Sequence, residues 1–443
     1  MLPGDAPQGS ADAGILPWIV TAVLLVALAC AVVVTTPWNP LGAADVVEAD
    51  AGRDFSAGEQ AESDAYQSRI RPPSYLGLGV GLLVTVGLGL TTLGARLVSA
   101  AARPAGGGWV WQVLLGGLAL LVVIRVSTIA FSAWAESVRR AFGLSTRSWS
   151  GWAADVAKSF GLQVAGTLLA LLVLVALART MPRWWWAVTA AAAAAFVVVL
   201  AFVYPLLVEP VFNRFTPLPE GDLRTSLLAM ADQDGVQVEE VLEADASRRT
   251  STLNAYVSGL GATRRIVVYD TLVDQSPPDQ VRNVVAHELG HAAEQDVRDG
   301  TLIGALTAAA GVCALGGLLV WPWLLGRAGA AGPFDPRVIA LVLAIVAVVG
   351  LVTAPMQALV SRRVETRADL HALELTRDPQ TFAEMQRALA LAAKADLEPP
   401  AIVFGMFASH PTTPQRIAVA RTWAQQHDVP QPGNLAPVGG SGR

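Results

Sequence analysis

The sequence contains little charge, little lysine and little cysteine. Asp, Glu, Lys and Arg make up 15% of its 443 residues, compared with about 25% in soluble domains. Only Lys158 and Lys394 are lysine, and 31 basic against 36 acidic residues give a net charge of −5. Because the chain has no block of basic residues, nucleic acid is not an expected partner. Cys30 and Cys313 both lie in apolar runs, which excludes a disulfide-linked secreted scaffold and a cysteine zinc cluster.

Hydrophobic residues make up 53% of the chain and are concentrated in long runs. A helix needs about 20 apolar residues to cross a bilayer, which predicts seven membrane spans and therefore a mainly α-helical, polytopic protein of the cell membrane. The shorter fourth run is also compatible with a buried helix of a soluble domain. We interpret the first run as a retained span, since no Lys or Arg precedes it and it exceeds the ~7–15 apolar residues of a secretory signal. The runs lie at about 15–34, 76–93, 109–129, 162–177, 184–208, 302–325 and 338–360.

The basic residues near the runs indicate an orientation. Arg139, Arg140, Arg147 and Lys158 follow the third run, whereas no basic residue precedes the first. Because Lys and Arg are retained on the cytoplasmic side, we expect the N-terminus outside and the large polar segment after the fifth run in the cytoplasm.

The chain divides into five consecutive parts. Two membrane parts alternate with two polar parts, which we expect to form one domain outside the membrane, and a tail rich in Pro and Gly follows, which we expect to be disordered. An acidic stretch at 39–73, inside the first part, is expected to be a flexible loop. The parts are 1–208 (five spans), 209–300 (first polar part), 301–360 (spans six and seven), 361–429 (second polar part) and 430–443 (tail).

The first polar part has both helical and strand patterns. Apolar spacing predicts helices at 223–232 and 279–294, and alternating valines and the RRIVVYD segment predict strands at 236–242 and 264–270. We therefore expect a small α+β domain in which the second helix carries the most informative motif of the chain.

Residues 287–291 read HELGH, the HExxH pattern of zinc peptidases. On a helix His287 and His291 are one turn apart on the same face, so that both imidazoles can bind one metal ion. Glu288 projects beside them, where it can take a proton from an attacking water. All five histidines lie at or after position 287, and a chance match is expected in about a few of a thousand such sequences. The alternative is a surface helix with two solvated histidines.

A catalytic zinc site usually has three protein ligands, and Glu365 is a candidate for the third. Glu365 and Asp369 are four residues apart on a predicted helix that follows the last span. One carboxylate can therefore bind the metal while the other accepts a hydrogen bond from a metal-binding histidine. Without further context, pairing of these carboxylates with Arg362, Arg363 or Arg367 on an exposed helix is the better explanation.

Besides HELGH and the 365–369 segment, four further blocks stand out between about 130 and 423. They are FGLS at 142–145, PVFNRFTPL at 210–218, Asn254-Ala255-Tyr256, and Ser409-His410-Pro411 with Arg416. In this order, and together with seven spans, the blocks resemble the type I CAAX prenyl endopeptidases, a family of integral-membrane gluzincins. The resemblance implies seven tilted helices around a chamber that a zincin-like α+β metallopeptidase domain closes on one side.

The resemblance also implies a metal site and its chemistry. His287, His291 and Glu365 would hold Zn²⁺, and the fourth position would be open to water. Glu288 would be the general base, and Asp369 would accept a hydrogen bond from a metal-binding histidine.

A substrate site is implied as well. Asn254 would lie on an edge strand that pairs with an extended peptide, and His410 and Arg416 would contact the substrate or support the oxyanion. We therefore expect an integral-membrane zinc metalloendopeptidase whose substrate is a peptide or protein. A lipidated or membrane-associated substrate is compatible with this expectation, and no residue indicates that it is prenylated. The alternatives are a metalloprotease for membrane-protein quality control and a non-enzymatic seven-helix transporter or receptor. The latter predicts a missing ligand or base.

Overall fold

The computed structural model describes residues 9–259 and 261–436; for residues 9–14 and 262 it describes the backbone only. Within these residues seven helical stretches are long and apolar enough to cross a membrane, which confirms the predicted polytopic α-helical protein. The helices are α1 (Gly9–Thr35), α2 (Ala51–Asp54), α3 (Ala57–Gly89), α4 (Thr92–Ala102), α5 (Trp109–Trp111), α6 (Gly117–Ala141), α7 (Trp149–Thr180), α8 (Trp185–Val203), α9 (Glu209–Phe212), α10 (Asp222–Gln233), α11 (Asp270–Gln275), α12 (Pro278–Ala293), α13 (Asp296–Leu318), α14 (Pro322–Ala328), α15 (Ile339–Thr376), α16 (Pro379–Ala393), α17 (Ala401–Phe407) and α18 (Thr413–Gln426).

Spans one to seven are formed by α1, α3, α5 with α6, α7, α8 with α9, α13 and α15. Span six packs between spans one and five, and span two packs against spans three and seven. The helix that contains the seventh apolar run does not end with that run near 360, because α15 continues to Thr376 as one helix. The end of this membrane helix therefore belongs to the metallopeptidase domain and carries the segment 365–369 into it.

The metallopeptidase domain contains a four-stranded mixed sheet in the described residues. Its strands are β1 (Phe215–Pro217), β2 (Glu240–Ala244), β3 (Ala255–Ser258) and β4 (Arg265–Tyr269), in the order β1-β2-β4-β3. The central pair β2–β4 is parallel, while β1 and β3 pair antiparallel at the two edges. Strand β3 is thus an edge strand, as the resemblance implies.

Helix α12 lies in the middle of the domain. Its apolar side chains Val281, Val285 and Leu289 are fully buried in the same core as Ile266 of the sheet and Trp423 of α18. Because residues 281, 285 and 289 share one face of a helix, that face packs inward, and the His287 and His291 side chains on a different face contact Glu365 of the neighbouring helix α15.

The acidic stretch 39–73 differs from the expected flexible loop. Ser56 and Glu59 form a capping box at the start of α3, Phe55 is 1% exposed, and Asp54 forms an ion pair with Arg421 in which both side chains are fully buried. We call residues 46–71 the N-terminal clasp, because they bind the surface of α16 and α18. Local composition indicates a loop here because the partners of these charges lie far along the chain, 367 residues away for Arg421.

The tail also differs from expectation in its first seven residues. The Arg421 Nε donates to the Pro432 carbonyl at 3.2 Å, the Gly433 amide donates to Gln380 at 3.1 Å and the Ala436 amide donates to the Arg53 carbonyl at 3.2 Å. Residues 430–436 are therefore packed against the clasp and α16, whereas 437–443 lie outside the described residues.

Candidate metal centre

The HELGH motif occupies the last turns of α12, where α12 crosses α15 closely. A Cβ atom added at Gly290 would lie 3.0 Å from the Cβ and 3.1 Å from the Cγ of His371 on α15. Glycine at position 290 therefore allows the helix with the two histidines to approach the helix with Glu365. The approach is supported by the hydrogen bond of His371 Nε2 to Asp234, at 2.9 Å, which holds the imidazole in place.

We predict that Gly290→Val weakens metal binding, because a branched side chain forces α12 and α15 apart and separates the ligands that they carry. Titration of metal-free protein with Zn²⁺ in competition with a chelator measures the effect. Gly311→Val is the matched control, since a Cβ at Gly311 has no neighbour within 4 Å. Equal affinities of the two variants would contradict the prediction.

Three ligand atoms from α12 and α15 converge on one point. The Nε2 atoms of His287 and His291 are 3.3 Å apart, and Glu365 oxygens lie 3.2 Å from Nε2 of His287 and 3.6 Å from Nε2 of His291. Ligands of a tetrahedral zinc ion with bonds of ~2.0–2.1 Å are separated by about 3.3 Å. The Glu365 Oε2 atom is also buried without a hydrogen-bond partner among the described residues. Both features fit a bound metal ion.

Glu365 and Asp369 are not paired with the neighbouring arginines of their own helix. Glu365 contacts His287, His291 and, at 3.3 Å, His410. Asp369 is fully buried and binds Arg416 of α18, which is far away in the sequence. The arrangement places both carboxylates in the metal centre.

Asp369 orients the first histidine. Its Oδ1 lies 3.0 Å from Nδ1 of His287, and the Arg416 Nε donates to its Oδ2 at 2.9 Å. A hydrogen bond at Nδ1 leaves the Nε2 lone pair free for the metal. Burial lowers the pKa of His287, but the nearby carboxylates of Asp369 and Glu365 outweigh burial and raise this pKa to about 9.

The second histidine has a partner that the sequence did not point to. The Nδ1 of His291 lies 2.8 Å from Oδ2 of Asp296, and Arg367 binds the other oxygen of Asp296. Asp296 follows HELGH by five residues, at the start of the next helix. The short distance in sequence between the motif and this acidic residue could have pointed to the contact. Only the turn between the two helices, however, brings the Asp296 side chain to His291.

Glu288 and His291 line a cavity of about 600 Å³ next to the ligand cluster. Its other walls include Val198 and Phe202 of span five and Leu302 of span six, so the cavity lies between the metal centre and the membrane helices. Burial raises the pKa of the Glu288 carboxyl, and the neighbouring histidines act against this increase. A carboxylate with a raised pKa accepts and returns a proton near neutral pH more readily.

The remaining three predicted residues, His410, Asn254 and Arg416, occupy three different positions. His410 lies at the ligand cluster, and the Ser409 hydroxyl oxygen lies 2.8 Å from its Nδ1. Asn254 immediately precedes edge strand β3, and its carbonyl accepts a hydrogen bond from the Tyr269 amide at 3.0 Å. Arg416, expected to contact substrate, is 12% exposed and directs two nitrogens at Asp369. The geometry therefore gives Arg416 a supporting position behind His287.

Two helices that supply an HExxH pair and a distant glutamate, joined to seven membrane spans, define the class of integral-membrane metallopeptidases. Comparison with known proteins agrees with this class. Residues 217–424 match the model of peptidase family M48, and residues 73–214 match the CAAX prenyl protease N-terminal domain of five membrane helices. The chain therefore carries both a peptidase family M48 domain and a CAAX prenyl protease N-terminal domain, which confirms the resemblance seen in the sequence.

Individual relatives show the same likeness over shorter stretches. The chain is 30% identical over 220 residues to an uncharacterized metalloprotease, YhfN, of Bacillus subtilis, covering 49% of this chain and 52% of that protein. It is 42% identical over 90 residues to CAAX prenyl protease 1 of Saccharomyces cerevisiae, covering 20% of each protein. The crystal structure of S. mikatae Ste24p matches with a TM-score of 0.74 at 19% identity, over 91% of this chain and 98% of that one. The aligned part thus spans about half or less of these curated relatives, and the structural match establishes the fold.

Proposed function

We propose that this chain is an integral-membrane zinc metalloendopeptidase. The observation that supports the proposal most directly is the convergence of His287, His291 and Glu365, whose ligand atoms all lie within 4.8 Å of one another. Two imidazoles and one carboxylate form a donor set that suits Zn²⁺ and leaves a position open for substrate or water. The non-enzymatic alternative predicts a missing ligand or base, and none is missing.

Three residues of the chain have separate proposed roles in hydrolysis. When bound, zinc would supply a Lewis acid that polarises the scissile carbonyl and lowers the pKa of the attacking water. Glu288 takes the proton of this water and passes it to the leaving amine. His410 lies at the open side of the cluster, where its imidazole can donate to the oxyanion. Arg416 supports the site through Asp369.

The substrate is proposed to lie extended along β3. This strand pairs with β4 on one side, and among the described strands none pairs with its other edge. A peptide added there gains main-chain hydrogen bonds with little dependence on its side chains, and Asn254 stands at the beginning of this edge. The cavity beside Glu288 is walled by apolar residues of spans five and six, which favours a lipidated or membrane-associated peptide.

We also propose that the metallopeptidase domain faces the cytoplasm, because Arg139, Arg140, Arg147 and Lys158 flank spans three and four on the same side as this domain. The Arg147 side chain binds Glu136 at 2.9 Å, and the adjoining Thr146 hydroxyl donates to the Ser247 carbonyl of the domain at 2.7 Å. These contacts support placing the basic residues and the domain on the same side of the membrane.

We expect purified protein to contain about one zinc ion per chain and to cleave membrane-associated peptides. Removal of the metal with a chelator should abolish cleavage, and one equivalent of Zn²⁺ should restore it. Metal analysis together with mass spectrometry of the products tests both statements. Protein without metal, with activity that a chelator does not change, would refute the proposal.

A further inference from the structure

Each metal-binding imidazole is held by a carboxylate that is itself held by an arginine. The first set is His287, Asp369 and Arg416; the second is His291, Asp296 and Arg367. We propose that Asp296 and Arg367 are positioning residues that fix His291 for metal binding. This inference rests on the proposed function of the site, and concerns two residues that are not themselves among the proposed ligands His287, His291 and Glu365.

The turn between α12 and α13 brings Asp296 to the metal centre. Only Glu294 and Gln295 separate the two helices, and Gln295 has a left-handed backbone with φ of 60°. A left-handed residue reverses the chain sharply. As a result, Asp296 begins α13 with its Oδ2 at 2.8 Å from Nδ1 of His291.

The contact with Asp296 decides which nitrogen of His291 is available. A carboxylate at Nδ1 stabilises the tautomer with a proton on Nδ1 and leaves the Nε2 lone pair free. That Nε2 is the atom 3.3 Å from its counterpart in His287. Without Asp296, the imidazole can exchange tautomers and rotate, and metal binding must first restore the productive arrangement.

Arg367 fixes Asp296 from the other side. Its Nη2 donates to Oδ1 of Asp296, and its Nη1 lies 3.4 Å from Glu294. Arg367 lies on α15 between Glu365 and Asp369. A single turn of this helix therefore supplies the proposed ligand Glu365, the carboxylate of Asp369 that orients His287, and the arginine that holds Asp296. This connection explains why an arginine in that turn does not pair with the acidic residues beside it.

A simpler explanation is that Asp296 only stabilises the N-terminus of α13, as acidic residues in a first helical turn do. Asp299 is in the same turn and carries the same charge, yet it pairs with Arg298 at 2.9 Å. Asp299→Asn is therefore a matched control that removes the same charge from the same helix end without touching the contact to His291.

The test measures zinc affinity of the full-length, detergent-solubilised protein by competition with a chromogenic chelator. We expect Asp296→Ala to raise the Kd for Zn²⁺ by about 10–100-fold, Asp296→Asn to raise it less because its amide oxygen still accepts from Nδ1, and Asp299→Asn to leave it unchanged. The visible spectrum of Co²⁺-loaded protein should change for Asp296→Ala and stay as in wild type for the control Asp299→Asn. A Kd and spectrum equal to wild type in Asp296→Ala would overturn the proposal.

A double-mutant cycle tests the role of Arg367. If Arg367 acts through Asp296, the variant with Arg367→Ala and Asp296→Ala binds zinc as weakly as Asp296→Ala alone. Additive losses would show that Arg367 acts by another route. Wild-type protein that binds no zinc would refute the proposed function itself, whereas normal binding and cleavage with unaffected Asp296 variants would refute only the positioning role. Asp296→Asn provides the measurement if Asp296→Ala does not fold.

Discussion

Glu288→Gln is expected to reduce peptide cleavage by about 10²–10⁴-fold while metal content stays close to that of wild type. Glutamine keeps the size of the side chain but cannot take a proton from the attacking water. The ligands His287, His291 and Glu365 are unchanged, so the affinity for zinc should persist. The measurements are metal content and kcat on a peptide that wild-type protein cleaves.

Glu398→Gln is a suitable control, since Glu398 is exposed and lies outside the metal centre. Normal cleavage by Glu288→Gln would show that another group is the base. If activity is lost together with metal, the substitution has disturbed the ligands and the assignment of Glu288 needs a different test. A variant that keeps zinc and the substrate site is also a trap, and membrane proteins enriched on it relative to wild type would identify substrates.

Asp54→Ala is expected to destabilise the metallopeptidase domain by about 3–5 kcal/mol, because it leaves the Arg421 guanidinium buried without its counter-charge. Asp54 and Arg421 are both fully buried, and the Arg421 Nη1 donates to Asp54 Oδ2 at 2.8 Å. Unfolding of the detergent-solubilised protein, followed by heat and by pulse proteolysis, measures the loss.

Two variants distinguish the contribution of the buried ion pair to stability from that of the acidic composition of the clasp. Asp64→Ala removes an exposed carboxylate of α3 and should leave stability within about 0.5 kcal/mol of wild type. Replacing both partners, with Asp54→Leu and Arg421→Met, should be much less damaging than Asp54→Ala, because no unpaired charge remains. If Asp54→Ala and Asp64→Ala are equally stable, the clasp does not contribute through this ion pair.

The clasp also shows where the family likeness ends. The two family matches begin at residue 73, so the clasp lies outside both. Its contacts nevertheless reach α16 and α18, since Glu59 binds Arg387 of α16 and Asp54 binds Arg421 of α18. Because α18 carries Arg416, the clasp stabilises the helix that supports Asp369 and the first metal-binding histidine.

Much of this architecture was predictable from local patterns. Seven apolar runs are visible as composition alone, since a span must satisfy its backbone hydrogen bonds within one helix. The HELGH pair was equally visible, because two histidines one turn apart on a helix share a face. The helices at 222–233 and 278–293 and the strand at 265–269 lie close to their predicted positions, whereas the strand predicted at 236–242 begins four residues later, at 240–244. Predicted catalytic and substrate roles, including those of Glu288, His410 and Asn254, await the experiments above.

The partners of charged side chains were decided by the tertiary structure. Glu365 meets His287 and His291 only because α15 runs unbroken out of the membrane and crosses α12 at Gly290. Asp54 is buried against Arg421, which lies 367 residues away in the sequence, and Asp296 reaches His291 only because of the turn between α12 and α13. Hydropathy and helical periodicity are properties of adjacent residues, and the sequence alone determines them. An ion pair or a metal site depends on where separate elements pack, and that is settled only when the whole chain has folded.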